Sequence, residues 1–281
     1  MSRHFILIFA YGFCALAFGQ GKKLKIEQAT LSQMEDGIPT AVDAHFLPGE
    51  TVYFSCRVSG FAKEGDEPPS IRLSYEVEVR DSKGILLETP ALGKVHAELA
   101  PEDKEWQPKI RQALAVPPLA DSGKYTVTAR VKDEHGKTEA QAAISFAVDG
   151  RDVPASDTLV ERNFRFLRSE DDRDPLVIAA YRPGDTLWAR FDMTGYKLGE
   201  KNGFDIEYGL TVLRPGGGVT YQQPRAAAEK NESFYRQRYT PGILSLTLPK
   251  DVAKGAYTIV LAIRDNLGGQ TFESRKVFSV E

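Results

Sequence analysis

Leu47-Pro48-Gly49-Glu50-Thr51-Val52-Tyr53 and Arg182-Pro183-Gly184-Asp185-Thr186-Leu187-Trp188 are two versions of one phrase. Each sets a Pro-Gly turn and an acidic residue ahead of a strand-forming run that ends on an aromatic. The likeness continues in register. Gly60-Phe61 matches Gly195-Tyr196, and Tyr75, Val79 and Gly84 match Tyr208, Val212 and Gly217. Gly123-Lys124-Tyr125-Thr126-Val127 matches Gly255-Ala256-Tyr257-Thr258-Ile259, and Asp133, Gly136, Phe146 and Val148 return as Asp265, Gly268, Phe278 and Val280. The offset slips only from 135 to 132 residues along the way. A register held so far is the mark of a duplicated unit. Two tandem domains are expected, residues 20–150 and 151–281, joined at Asp149-Gly150-Arg151-Asp152-Val153-Pro154.

Each copy alternates with period two. Val52, Phe54, Cys56 and Val58 are expected inward, against Tyr53, Ser55 and Arg57 outward. The second copy sets Leu187, Ala189, Phe191 and Met193 inward, and Trp188, Arg190 and Asp192 outward. Tyr125, Val127, Ala129, Val131 and Tyr257, Ile259, Leu261, Ile263 alternate likewise, each ahead of a turn at Asp133 or Asp265. One dry face and one wet face indicate antiparallel sheets. Short strands between Gly and Pro turns give an all-β fold of two tandem antiparallel β-sandwiches. Residues 88–109 and 222–241 show no such alternation and are expected to be irregular decoration, with short helical turns at 101–106 and 226–230.

Two resemblances attach to these residues. Gly49-Glu50-Thr51-Val52-Tyr53-Phe54-Ser55-Cys56-Arg57-Val58 resembles strand B of an immunoglobulin domain. Asp121-Ser122-Gly123-Lys124-Tyr125-Thr126-Val127 resembles its strand F, with Tyr125 as the tyrosine-corner residue and Val127 where the second framework cysteine stands. Tyr181-Arg182-Pro183-Gly184-Asp185-Thr186-Leu187-Trp188, Val212-Leu213-Arg214-Pro215-Gly216 and the segment from Leu248 to Tyr257 are similar to the macroglobulin-like domains of α-macroglobulins. Both resemblances imply a sandwich. The Cys-Gly-Glu-Gln of a thioester is missing, so neither implies protease trapping.

Composition and the start of the chain set the compartment. With 42% hydrophobic and 27% charged residues, the 281-residue chain builds packed cores, and a formal net charge of -3 gives no basis for a nucleic-acid partner. Residues 1–19 have the three parts of a secretory signal peptide: basic Arg3-His4, the apolar run from Phe5 to Leu16, and Ala17 and Gly19 at the −3 and −1 positions. The run is too short to span a bilayer, which takes about 20 residues. The mature chain, with no transmembrane segment, is expected to be secreted or periplasmic. Removal of Cys14 leaves Cys56, which lies among apolar residues and is expected as a buried thiol.

No catalytic constellation stands out. His45, His96 and His135 have no metal-ligand spacing, no Gly-x-Ser-x-Gly occurs, and no cofactor, metal or catalytic site is assigned. The acidic run Glu170-Asp171-Asp172-Arg173-Asp174 is expected as a solvated loop, with Ca²⁺ binding the alternative. The expected function is a non-catalytic binding or assembly module, contacting an envelope or extracellular protein or, alternatively, a glycan. Its candidate contact residues are the outward strand aromatics Tyr53 and Trp188, whose repeated aromatic character points rather to structural cover, and Trp106, Phe234 and Tyr235 in the irregular segments.

Overall fold

The computed structural model describes residues 23–41, 43–103 and 105–281. The expected signal peptide lies outside them. The first eight strands are β1 (Lys25–Ser32), β2 (His45–Phe46), β3 (Thr51–Ser59), β4 (Ser70–Arg80), β5 (Ala91–Glu98), β6 (Lys109–Ala115), β7 (Gly123–Asp133) and β8 (Thr138–Val148). The next eight are β9 (Val160–Leu167), β10 (Ala180–Tyr181), β11 (Thr186–Thr194), β12 (Phe204–Leu213), β13 (Val219–Asn231), β14 (Tyr239–Thr247), β15 (Gly255–Asp265) and β16 (Gln270–Val280).

The strands form four sheets and repeat one topology. β1-β3-β6 faces β2-β8-β7-β4-β5, and β9-β11-β14 faces β10-β16-β15-β12-β13. All pairings are antiparallel except those of the two short strands, β2 on β8 and β10 on β16. Each pair of sheets closes over its own apolar core. The inward positions behave as the alternation requires: Val52, Phe54, Cys56 and Val58 are buried, as are Leu187, Ala189, Phe191 and Met193. Burial of such side chains is the main stabilising term, about 1.5–3 kcal/mol for each large one. Burial also pushes the Cys56 thiol up to about 11, so it is inert and protonated.

Three repeated devices hold the turns. Tyr125 Oη donates to the carbonyl of Asp121 at 2.9 Å, and Tyr257 Oη to that of Ala253 at 2.8 Å, which gives both units an immunoglobulin-type tyrosine corner. Asp133 Oδ1 accepts from the N–H groups of His135 and Gly136 while its Oδ2 accepts from Ala62. Asp265 does the same with Leu267, Gly268 and Lys197. Gly60 and Gly195 have φ of 72° and 79°, and a Cβ on either would stand 2.2 or 1.9 Å from the carbonyl oxygen of Lys23 or Thr158. Only glycine fits there.

Three local expectations are corrected. Residues 88–109 contain β5, and residues 222–241 contain most of β13 and the start of β14. Residues 226–230 are strand, not a helical turn. Both β5 and β13 are edge strands with a single neighbour, and β13 is largely exposed, so no apolar alternation marks it. In place of the helical turn expected at 101–106, the described residues there carry turn hydrogen bonds, Asp103 N–H to the Ala100 carbonyl and Trp106 N–H to the Asp103 carbonyl. Asp192, placed outward by its parity, is fully buried because a linker residue covers it.

Candidate binding site

The candidate aromatics line separate clefts, and only Phe234 and Tyr235 lie together. Between β13 and β14 the chain leaves its own sandwich and reaches the other. Tyr235 is 5% exposed and belongs to the core cluster of the first sandwich. Its hydroxyl donates to Asp81 Oδ2 at 3.0 Å. Arg238 reaches the same oxygen at 3.3 Å through Nη2 and bonds Asp121 Oδ2 through Nη1. Lys83 adds a 3.0 Å ion pair to Asp121. Asp81 Oδ1 accepts from the N–H groups of Lys83 and Ile85, which fixes the turn after β4. Burial holds the Tyr235 phenol well above its ordinary range, with the nearby Tyr125 and Asp81 adding to it, and burial pushes Tyr125 up to about 12. Both phenols are donors at any physiological pH. Tyr235, expected as a contact for an outside partner, therefore spends its surface inside the chain.

The linker is held at both ends. Ser122 Oγ donates to the Gly150 carbonyl at 2.6 Å, and a Cβ on Gly150 would stand 2.1 Å from the Ala120 carbonyl oxygen. The next residue, Arg151, bonds Asp192 Oδ2 and lies 5.5 Å from the centre of the Tyr239 ring. Asn163, at φ 52° in the irregularity of β9, donates to the same Asp192 oxygen at 2.9 Å. Buried charges persist when they are paired and hydrogen-bonded, and both Asp81 and Asp192 meet that condition.

This joint opens a groove between the sandwiches. Ile85 and Leu86 from the first line it with Lys201, Asn202 and Phe234 from the second, around a volume of about 740 Å³. Phe234 is 53% exposed. Asn202 Nδ2 donates to the carbonyls of Phe234 and Ser233, at 2.7 and 3.2 Å, so the aromatic stands on a fixed loop.

The other aromatics sit elsewhere. Tyr53 is half-buried beside a small cleft of about 180 Å³, where Asp36 accepts from Lys109 at 2.6 Å and Arg111 at 2.7 Å. The Lys109 hydrogen bond is the main cause holding the Asp36 carboxyl below its usual range. Trp188 is half-buried, and its cross-strand partner Leu167 is fully buried. Paired residues project to one face, so the indole lies beside a leucine outside the main core. Trp106 is 39% exposed in a polar cleft of about 430 Å³.

Asp172 of the acidic run accepts from the N–H groups of Arg168 and Ser169, and the Ser169 bonds lower its pKa. Among the described residues no group of three or more His, Cys, Asp or Glu side chains comes together to hold a metal. His45 Nδ1 lies 2.9 Å from Asp149, and His135 pairs with Glu64. No described helix is long and apolar enough to cross a membrane.

Arg238, Asp81, Asp121, Arg151 and Asp192 were not among the candidate contact residues. The Asp81 turn and the Arg-rich stretch around Arg236 and Arg238 are visible there, but nothing links two segments 157 residues apart.

No family model matches this sequence, and no curated protein matches it. Among solved structures, the chain is similar to the C-terminal domain of the antigen I/II polypeptide BspA of Streptococcus agalactiae, over 92% of this chain and 99% of that one, at TM-score 0.30 and 8% identity. It is similar to the C-terminal domain of the antigen I/II-family protein AspA of Streptococcus pyogenes, over 93% and 100%, at TM-score 0.30 and 10% identity. A family 123 glycoside hydrolase from Clostridium perfringens matches 44% of this chain with 27% of its own, at TM-score 0.29 and 11% identity. The sandwich assignment rests on the pairing and burial described above.

Proposed function

We propose that this chain is an exported, non-catalytic binding module of two sandwiches, residues 20–150 and 151–281, that docks a protein partner in the groove between them. The observation that carries this reading is Phe234. An exposed aromatic costs solvation, yet this one stands on a pinned loop, one residue from a tyrosine anchored in the other sandwich. Rigid aromatics over a pre-formed groove are the side chains that anchor protein interfaces. The Arg238 and Arg151 ties support a platform of fixed shape, which lowers the ordering cost of binding.

The test is site-specific photocrosslinking from position 234 in the native host, with Phe234→Ala in parallel. A defined partner crosslinked at 234, whose recovery falls at least about tenfold in Phe234→Ala at unchanged melting temperature, supports the groove. Recovery of that partner undiminished by Phe234→Ala, or no crosslink at 234, overturns it.

A further inference from the structure

We propose that the cleft around Trp106 is a subsite for an acidic saccharide, one bearing uronic-acid carboxylates. It is separate from the protein-docking groove and stands or falls independently of it. Three kinds of group meet in this cleft. Trp106, 39% exposed, lines it. Lys23, Lys25 and Lys63 are exposed and, among the described residues, make no ion pair, although Glu27 and Glu105 line the same cleft. Glu27 is instead held by neutral donors, Ser59 Oγ at 2.7 Å and Gln107 Nε2 at 3.4 Å.

Each group answers one part of such a ligand. A pyranose has an apolar C–H face that lies against an aromatic ring. Its hydroxyls need acceptors held in place, and a carboxylate already fixed by two donors keeps lone pairs free for them. Its carboxylates need cations, and the three ammonium groups outnumber the two glutamates. The lining is mainly polar, unlike the groove under Phe234, and the cleft, at about 430 Å³, falls in the range of small-ligand sites. A purely apolar or neutral ligand leaves the lysines unused. An acidic peptide satisfies them but makes no use of the indole face beside a fixed acceptor.

The two tryptophans separate here. Trp188 lies beside buried Leu167, whereas Trp106 lines a mainly polar cleft. That contrast fixes the controls.

The experiment is titration of the mature chain with oligogalacturonate, with a neutral cello-oligosaccharide and poly-glutamate as comparisons, followed by calorimetry and by Trp emission. Oligogalacturonate is expected to bind and perturb the emission, and to weaken about tenfold when salt rises from about 0.05 to about 0.5 M, since exposed charges are screened. Trp106→Ala and the exposed-site double variant Lys25→Glu/Lys63→Glu are each expected to weaken it by at least about tenfold, while Trp188→Phe leaves it unchanged. Trp106→Phe, which keeps an aromatic face, is expected to retain most of the affinity. Equal binding of the neutral oligosaccharide, displacement by poly-glutamate at equal charge, or affinity unchanged in Trp106→Ala would overturn the proposal.

Discussion

The hydroxyl of Tyr235 donates to Asp81 across 154 residues of chain, at 3.0 Å, inside the core of a sandwich to which Tyr235 does not belong in sequence. Arg238 completes the contact, so one carboxylate holds a phenol and a guanidinium from the other sandwich. The two ends of this tie differ in what their loss exposes. The Asp81 side chain is 1% exposed and that of Arg238 17%.

Removing the cation therefore leaves a buried anion short of its partner. Arg238→Ala is expected to destabilise the chain by about 3–5 kcal/mol. Tyr235→Phe, which removes one hydrogen bond to a charged group and keeps the ring in the core, is expected to cost about 1.5–3 kcal/mol. Denaturant titration orders the two, and small-angle scattering on Arg238→Ala is expected to show a larger radius of gyration as the joint loosens. Equal costs, or an unchanged radius, would show that the tie does not hold the sandwiches.

The second tie makes an asymmetric prediction. Asp192 is fully buried, while the Arg151 side chain is 43% exposed. Arg151→Ala strands Asp192, whose Oδ1 already lacks a hydrogen-bond partner among the described residues. It is expected to cost about 3 kcal/mol. Asp192→Leu frees an arginine that swings into water, and is expected to cost less. The double variant is expected to be closer to Asp192→Leu than to the sum, because the two sites share one interaction. Additive costs in a double-mutant cycle would refute the coupling.

How much of this was legible follows from which forces leave a period in the sequence. The inward rows of β3, β7, β11 and β15 were visible because a two-sided sheet imprints alternation on every residue. Tyr125 was placed as a corner residue by the resemblance of Asp121–Val127 to an immunoglobulin strand F, and its bond to the Asp121 carbonyl is a local relation. β5 was missed because its inward row, Ala91, Gly93, Val95 and Ala97, is small and only half-buried, and β13 because it is largely exposed and its Ala226–Ala228 run mimics a helix former. Asp192 defeated the parity rule: its position is outward, yet Arg151 and Asn163 close over it. Tyr235 was read as a contact residue of an irregular segment because sequence gives no sign of which sandwich an excursion enters.

Cys56 sets a pH dependence. Its thiol is raised from an ordinary 9.0 to about 11 by burial, so the folded state keeps the proton that the unfolded chain gives up first. The contribution is present in full below pH 9 and is lost as pH rises through about 11, because unfolding then releases a proton. Stability is expected to fall across that window in wild type, and less steeply in Cys56→Ala after correction for the lost sulfur. Native protein at pH 8 is expected to resist a disulfide-exchange reagent until denaturant is added. Stoichiometric labelling of native protein at pH 8 would contradict the burial.

The duplicated glycines permit the same substitution to be made twice in one chain. Gly60 and Gly195 share a left-handed backbone, and both abut a carbonyl oxygen that a Cβ would strike. Side-chain trimming elsewhere offers no relief, since the obstacle in each case is main chain. Gly60→Ala and Gly195→Ala are each expected to cost about 1–3 kcal/mol, the range for a strained residue. The two costs are expected to add, because the sites belong to different sandwiches and share no partner. Gly84, also at positive φ, has nothing within 4 Å of its Cβ position. Gly84→Ala thus pays the backbone strain without the collision and is expected to be the mildest of the three by thermal or denaturant unfolding. A Gly84→Ala variant as unstable as Gly195→Ala would mean that backbone conformation, not the close approach to Thr158, is what the glycine serves.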